Sequence, residues 1–129
     1  MRITTRVDEV RSRVDLARRD AETVGCVPTM GALHAGHLSL IAAARDECDV
    51  VIVTLFVNAP QFNDSEDFQR YPRPFSEDLD ACRQHGVDLV FHPTEDTIYP
   101  PGNETLLDVG RLARILEGQH RPGHFQGVA

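Results

Sequence analysis

Residues 27–38 read VPTMGALHAGHL, and this segment decides the fold expected for the whole chain. The apolar run at residues 24–27 is typical of a buried strand, and residues 38–45 are typical of a helix. Between them stand two glycines and a His-x-Gly-His sequence. Where a glycine turn leads into a helix, backbone N–H groups point outward and the helix dipole favours negative charge. The segment therefore predicts an anion site.

The two histidines, His34 and His37, strengthen that prediction. Each imidazole can donate a hydrogen bond to a phosphate oxygen, and Gly36 lets a ligand approach the backbone closely. A chance His-x-Gly-His is expected in roughly one of a few hundred chains of this length, and less often at a strand-to-helix turn. The alternative is a plain turn with two surface histidines. The glycine spacing fits neither the dinucleotide-binding motif nor the Walker motif, and the lysine of the Walker motif is absent.

A metal pair is a second use of the same two histidines. A third ligand would have to come from His120, His124 or a carboxylate, and the spacing favours none of them. We therefore predict a nucleotide phosphate site and no metal site.

The rest of the hydrophobic pattern predicts an α/β chain. Helices are expected at residues 5–19, 36–47 and 74–86, the first opened by a capping box of Thr5 with Asp8. A second strand is expected at residues 49–58, because its apolar run at 50–57 is typical of a parallel strand covered on both faces. A third strand is expected at 87–91, a short extra strand at 105–109, and a short helix that ends at Gly118. The fold class is an open, doubly wound parallel sheet.

Composition limits the function classes. With 129 residues, 14.4 kDa and a net charge of −7, the chain is expected to be one domain that binds no nucleic acid. No apolar run is long enough for a membrane span, and the first residues do not resemble a secretory leader. Three cysteines outside any C-x-x-C pair are expected to be small buried side chains in the cytoplasm. All thirteen basic residues are arginine.

A second candidate site follows the second strand. Asn58 and Gln61 carry amides that can bind hydroxyl groups or a carboxylate of a small polar substrate beside the phosphate site. An ordinary turn is the alternative, because Asn and Pro both favour turns. Residues 119–129 are expected to form a polar loop that carries Arg121 and His124.

Segments along nearly the whole chain resemble the pantoate–β-alanine ligase family. Each matches the family in order: VPTMGALHxGHxSL at 27–40, FVNxxQF at 56–62, DFxRYPR at 67–73, GVDLVFxP at 86–93, IYP at 98–100 and LEGxxRPGHFxGV at 116–128. Several segments agreeing in order are more specific than His-x-Gly-His, which a wide superfamily of nucleotidylyl-transferring enzymes shares.

The resemblance implies an ATP-dependent condensation of pantoate with β-alanine. Pantoate attacks the α-phosphorus of ATP with Mg²⁺ assisting, and the β-alanine amine then attacks pantoyl adenylate. The family fold is a Rossmann-like nucleotide-binding domain, and the family suggests a homodimer. If the roles of the matching family residues apply to this chain, Gln61 and Asn58 hold pantoate together with Met30, and Gln61 also borders β-alanine. His34 and His37 contact phosphates, with His37 as proton donor. The ATP site is lined by Met30, Gly31, Ala32, Leu33, His34, Ala35, Gly36 and His37.

The chain also departs from the family pattern. Ala59, Pro74 and Gln126 stand where the family commonly has Pro, Thr and Arg. The Gly-x-Lys-Asp segment, a later Ser/Arg loop and the C-terminal domain of the family are missing. Residues 1–129 are therefore expected to be the N-terminal part of the enzyme, a partial nucleotide-binding domain that is inactive alone.

Two other functions stay open. A nucleotidyltransferase of the same superfamily would act on a phosphorylated acceptor and need a basic acceptor pocket, whereas Asn58 and Gln61 suit an uncharged hydroxy acid. A non-catalytic nucleotide-binding fragment would need a partner chain.

Overall fold

The computed structural model describes residues 1–129, apart from the side chain of Leu112. The chain forms two compact units, Met1–Phe56 with Pro72–Ile98 and Val57–Tyr71 with Tyr99–Ala129. The strands are β1 (Arg2–Thr4), β2 (Val24–Thr29), β3 (Val50–Leu55) and β4 (Leu89–Phe91). The helices are α1 (Val7–Arg19), α2 (Ala35–Glu47), α3 (Ser65–Arg70), α4 (Phe75–Gln84), α5 (Glu95–Ile98), α6 (Glu117–His120) and α7 (His124–Val128). Two 3₁₀ turns span Ala59–Gln61 and Gly110–Arg114.

The first unit is built on a parallel sheet with strand order β1-β4-β3-β2. The central strand β3 is covered on both faces, as its continuous apolar run predicts. Val51 and Val53 pack with Ile41 of α2 in one buried cluster, whereas Val50 and Ile52 belong to a second cluster with α1. The predicted α/β class with a parallel sheet is confirmed.

The edge strand β1 was not predicted from the sequence. Its three residues pair in parallel with Leu89, Val90 and Phe91 of β4, and two of the three are exposed. A three-residue strand with one buried side chain has no hydrophobic periodicity to detect. The pairing with β4 is what defines it.

The start of the first helix differs from the prediction. The N-cap of α1 is Arg6, and no side chain caps it, so the capping box of Thr5 with Asp8 is wrong. Because β1 runs to Thr4, Thr5 lies in the turn between strand and helix. Asp8 forms an ion pair with Arg6 instead.

Other boundaries move by a few residues. β2 runs to Thr29, two residues beyond the predicted end, and β3 stops at Leu55, before the predicted end at residue 58. The predicted helices over 36–47 and 74–86 are confirmed as α2 and α4. Among the described residues, no helix is long and apolar enough to cross a membrane.

Three predictions fail in the second unit. Residues 105–109 form no strand, and Leu106 there is 82% exposed, since no strand pairs with this segment. The helix expected to end at Gly118 is instead a 3₁₀ turn followed by α6, which continues through that glycine. The tail is not a loop: α7 follows Gly123, whose φ of +87° redirects the chain.

Candidate functional site

The turn between β2 and α2 begins at Thr29, the last residue of β2. The Thr29 hydroxyl accepts a hydrogen bond from the Gly31 N–H at 3.1 Å and donates to the Thr54 carbonyl at 2.7 Å. Gly31 and Ala32 then both take left-handed backbone conformations, with φ of +81° and +50°. For Ala32 this conformation costs about 1–2 kcal/mol, so surrounding contacts must hold the turn.

Asp78 of α4 supplies those contacts. Its Oδ2 accepts from the Ala32 N–H at 2.9 Å and its Oδ1 from the Leu33 N–H at 2.7 Å, while the residue is only 4% exposed. Sequence reasoning missed this residue. The only available sign was an acid next to Leu79 on the inward-facing side of α4.

His34 and His37 cap the helix that follows. His34 is the N-cap of α2, and its Nδ1 accepts from the Gly36 N–H at 3.1 Å. The Nδ1 of His37 accepts from the His34 N–H at 3.4 Å, and the ring centroids lie 4.0 Å apart. A ring nitrogen that accepts carries no proton, so this network assigns the proton of each neutral ring to Nε2. Each ring therefore keeps one donor for a ligand.

Only some of the turn's backbone N–H groups are left for a ligand. The N–H groups of Ala32, Leu33, His34 and Gly36 all have acceptors within the chain itself, and these bonds hold the turn. The N–H group of Ala35, in the first turn of α2, has no acceptor among the described residues. This amide and the two imidazole Nε2–H groups are donors available to an anion, so the expected backbone contacts to phosphate are limited to the first turn of α2.

The pKa of His37 is held below its ordinary value of 6.5. Burial is the main cause, since it disfavours the charged ring, and the neighbouring His34 adds to it. The negative charge of Asp78 acts in the opposite direction. A lowered pKa keeps His37 neutral near pH 7, in the state in which its Nδ1 can accept the His34 amide.

Asn58 lies in the second unit and has both ends of its amide engaged. Its Oδ1 accepts from the Tyr99 hydroxyl at 2.7 Å, and its Nδ2 donates to the Gly127 carbonyl at 2.6 Å. Asn58 thus holds three segments of that unit together. Its predicted role as a substrate ligand stays a prediction, and these contacts give it a structural role.

Gln61 ends the 3₁₀ turn that follows Asn58. Its backbone carbonyl accepts a hydrogen bond from Nδ1 of His124 at 2.8 Å. Its half-buried side-chain amide forms no hydrogen bond with the described residues. Of the two predicted pantoate ligands in this unit, Gln61 is the one with a free amide.

The predicted site residues are thus divided between the units. Residues 30–37 lie together in the first unit, whereas Asn58 and Gln61 lie in the second. His120 and His124, the histidines considered as third metal ligands, also lie in the second unit. Within the described part of the chain, no group of three or more His, Cys, Asp or Glu residues is arranged to hold a metal ion.

Comparison with known proteins gives one consistent result. The family model described as pantoate-beta-alanine ligase matches residues 2–129. The pantothenate synthetase of Paracoccus denitrificans (strain Pd 1222) is 54% identical over 121 residues, which are 94% of this chain and 43% of that protein. The enzyme of the same name from Aquifex aeolicus is 48% identical over 96% of this chain and 44% of its own length.

Solved structures agree with these relatives. Pantothenate synthetase from Thermus thermophilus superposes with a TM-score of 0.87 at 45% identity, covering 99% of this chain and 45% of that one. Pantoate-beta-alanine ligase from Francisella tularensis, complexed with beta-gamma ATP and beta-alanine, gives 0.90 at 44% identity, covering 98% and 49%. The chain thus spans less than half the length of the relatives it matches.

Proposed function

The chain belongs to the pantoate–β-alanine ligase family, and we propose that it forms the ATP-binding part of an enzyme that condenses pantoate with β-alanine. The observation that carries this proposal is the reciprocal capping of His34 and His37, which leaves an Nε2–H donor on each ring. Both donors sit at the N-terminus of the 13-residue helix α2, where the helix dipole favours anions.

The proposed reaction has two steps. A pantoate carboxylate oxygen attacks the α-phosphorus of ATP, the bond to the bridging oxygen breaks, and pyrophosphate leaves with the electron pair. The β-alanine amine then attacks the acyl carbon, AMP leaves, and the amine gives up a proton. Negative charge moves onto phosphate oxygens in the first step, so fixed donors aimed at them lower its barrier.

The roles of individual residues follow from their contacts. His34 and His37 are proposed to donate hydrogen bonds to phosphate oxygens through Nε2–H. The proton-donor role that the family resemblance gives His37 is proposed as such a hydrogen bond to the leaving oxygen, because a neutral imidazole keeps its one ring proton. Residues 30–37 line the ATP site. Gln61, with its free amide, is proposed to bind the pantoate hydroxyl or carboxylate and to border β-alanine. Met30 and Asn58 complete the proposed pantoate site.

Mg²⁺ is expected to assist ATP chemistry in this family, but the turn does not fit a direct magnesium site. Mg²⁺ takes oxygen ligands. Asp78 is the carboxylate that the described contacts place at the turn, and both of its oxygens already accept amides. No step above depends on the metal.

Binding measurements test the site assignment. Titration calorimetry with ATP should show binding weakened about tenfold or more for His34→Gln and for His37→Gln, since each removes a hydrogen bond to a charged group. His85→Gln, at the C-terminal end of α4, is the matched control and should bind as the wild type. Unchanged ATP affinity in both His34 and His37 variants would refute the phosphate site.

Pantoate binding tests the second substrate site. Gln61→Ala should weaken pantoate binding, whereas Gln126→Ala, in α7 of the same unit, should not. The family match favours the ligase over the nucleotidyltransferase, and pantoate binding would separate the two. Residues 1–129 alone are expected to form no AMP from ATP, pantoate and β-alanine, because the relatives are more than twice as long. AMP formed in a coupled assay would contradict that expectation.

We also propose that the protein is a cytoplasmic homodimer whose product serves coenzyme A synthesis. The family resemblance supports the dimer and the pathway. The three free cysteines agree with a reducing compartment. Light scattering on the purified protein would test the dimer.

A further inference from the structure

Asp78 is a buried carboxylate that the two reaction steps do not use. It is 4% exposed and forms no ion pair with the described residues. Removing a carboxylate from water is unfavourable unless hydrogen bonds replace the lost solvation. The Ala32 and Leu33 amides provide that replacement, one to each oxygen. Two charge-assisted bonds are stronger than neutral ones, so the carboxylate and the turn hold each other in place.

The turn needs such a partner because its backbone is strained. Ala32 has a side chain and still takes a φ of +50°, directly after Gly31 at +81°. Neither residue is inside a helix or strand whose ladder would fix it. The hydrogen bonds that Asp78 accepts from the two amides after Gly31 therefore hold this conformation, together with the bond from the Gly31 N–H to the Thr29 hydroxyl.

Shape agrees with hydrogen bonding. A Cβ placed on Gly31 would come within 3.0 Å of the Asp78 Oδ2. The carboxylate therefore packs directly against the glycine as well as bonding its neighbours. A side chain at residue 31 would collide with the Asp78 carboxylate, so this close contact requires glycine there. The two amide donors in turn require an acceptor side chain at residue 78.

The placement of this negative charge is otherwise unexpected. A buried anion next to a proposed triphosphate site should repel its ligand. The cost is limited because both oxygens face N–H donors, which balance the charge locally. The same charge acts on His37, whose pKa it raises against the lowering effect of burial.

We propose that Asp78 is a positioning residue for ATP binding, which fixes the turn at residues 31–33 so that His34 and His37 start α2 with their Nε2–H groups toward the phosphates. This inference rests on the proposed function. Asp78 of α4 thereby takes part in a site whose turn residue Leu33 lies 45 residues earlier in the chain.

The test compares Asp78→Asn with Asp80→Asn. Asparagine has the same shape, but its NH₂ group must face one of the two amide donors, so one bond is lost. Asp80 lies on the same helix, is exposed and pairs with Arg83, so its variant controls for the loss of a charge on α4. Calorimetry should show ATP binding weakened about tenfold or more in Asp78→Asn and unchanged in Asp80→Asn. Asp78→Glu, which keeps the charge, should recover part of the affinity.

A second readout separates positioning from simple support of the fold. The His37 ring, titrated by NMR, should show a lower pKa in Asp78→Asn than in the wild type, because the raising charge is gone. Asp80→Asn should leave the His37 titration unchanged. A folded Asp78→Asn protein with wild-type ATP affinity would overturn the proposal.

Two outcomes need their own readouts. If Asp78→Asn does not fold, amide exchange in the wild type decides: slow exchange at Ala32 and Leu33 without ATP supports the proposal, and exchange at unstructured rates refutes it. If the wild type binds no ATP, the proposed function fails for this chain. Amide exchange and the His37 titration then still decide whether Asp78 holds the turn.

Discussion

The hydroxyl of Tyr99 donates a hydrogen bond of 2.7 Å to Oδ1 of Asn58, 41 residues away in the chain. The other end of the same amide donates to the Gly127 carbonyl at 2.6 Å. One side chain therefore ties the 3₁₀ turn at Ala59–Gln61 to both later parts of its unit. Because Gln61 ends that turn, the network bears on the proposed pantoate ligand as well as on stability.

Tyr99→Phe should destabilise this unit by about 1 kcal/mol, because Oδ1 of Asn58 loses its donor in a partly buried place. Amide exchange at residues 57–71 and 99–129 measures the effect. A double-mutant cycle with Asn58→Ala isolates the pair, and the coupling energy should be about 1 kcal/mol. Strictly additive effects would show that the hydrogen bond contributes nothing.

Gly127→Ala should disrupt the same network by steric contact. A Cβ on Gly127 would lie 2.5 Å from the Gln61 nitrogen and 2.5 Å from the Pro60 carbonyl carbon, so α7 must move away from the 3₁₀ turn. The expected loss is about 1–3 kcal/mol, as for other overpacked sites. Gln126→Ala, the neighbouring change in α7, should be nearly neutral. Equal stability of the two variants would contradict the close approach.

Much of the first unit could be predicted from the sequence because its elements carry strong local patterns. The continuous apolar run of β3 and the helical spacing in α4 depend on burial, which leaves a record in residue type. β1 and the strand wrongly expected at residues 105–109 show the limit. Three residues of β1 form a strand because β4 lies beside them, whereas residues 105–109 have no partner strand.

The site shows the same limit. The His-x-Gly-His turn could be found because its residues are contiguous and chemically unusual. Asp78 could not, because its role depends on α4 packing against a turn 45 residues earlier, and an acid in the first turn of a helix is ordinary. The engagement of both ends of the Asn58 amide is likewise a tertiary contact. A sequence motif indicates which polar side chains are near one another in the chain. Only the folded structure shows which of them already form hydrogen bonds within the protein.

Cys82 should resist alkylation in the folded protein, in contrast to Cys26. Cys82 is fully buried, and burial raises the pKa of its thiol to about 11, with the nearby Asp78 adding to the effect. Cys26 is exposed and Cys48 is half-buried, which corrects the prediction that all three cysteines are buried. Partial burial raises the pKa of the Cys26 thiol as well, so its exposure is what makes it more accessible than Cys82. Iodoacetamide at about pH 8, near the ordinary thiol pKa, should label Cys26 first, and Cys82 only when urea unfolds the chain. Equal labelling rates without urea would show that the core opens readily.

Gly31→Ala should destabilise the first unit more than Gly86→Ala. Both glycines have positive φ, +81° and +72°, so alanine at either costs about 1 kcal/mol from backbone strain. At Gly86 the new Cβ meets the flexible side chain of Arg45, whereas at Gly31 it presses on the buried Asp78 carboxylate. Urea unfolding gives the two losses. Equal losses of unfolding free energy in the two variants would show that the Asp78 carboxylate moves away from the new Cβ without destabilising the fold.

Stability should fall in acid because His37 is held neutral. The pKa of folded His37 lies below 6.5 through burial and the nearby His34, with Asp78 partly opposing, so the unfolded chain binds the proton first as pH falls. The contribution of neutral His37 to the free energy of unfolding is fully present above pH 6.5 and is lost as pH falls from there through the folded pKa.

Protonation of His37 also converts its Nδ1 into a donor and breaks its bond with the His34 amide. Unfolding free energies from about pH 5 to 8 should therefore decline less steeply toward acid in His37→Gln than in the wild type. If the unfolding free energies of the two proteins changed with pH in parallel, the pKa of His37 would be the same in the folded and unfolded chains.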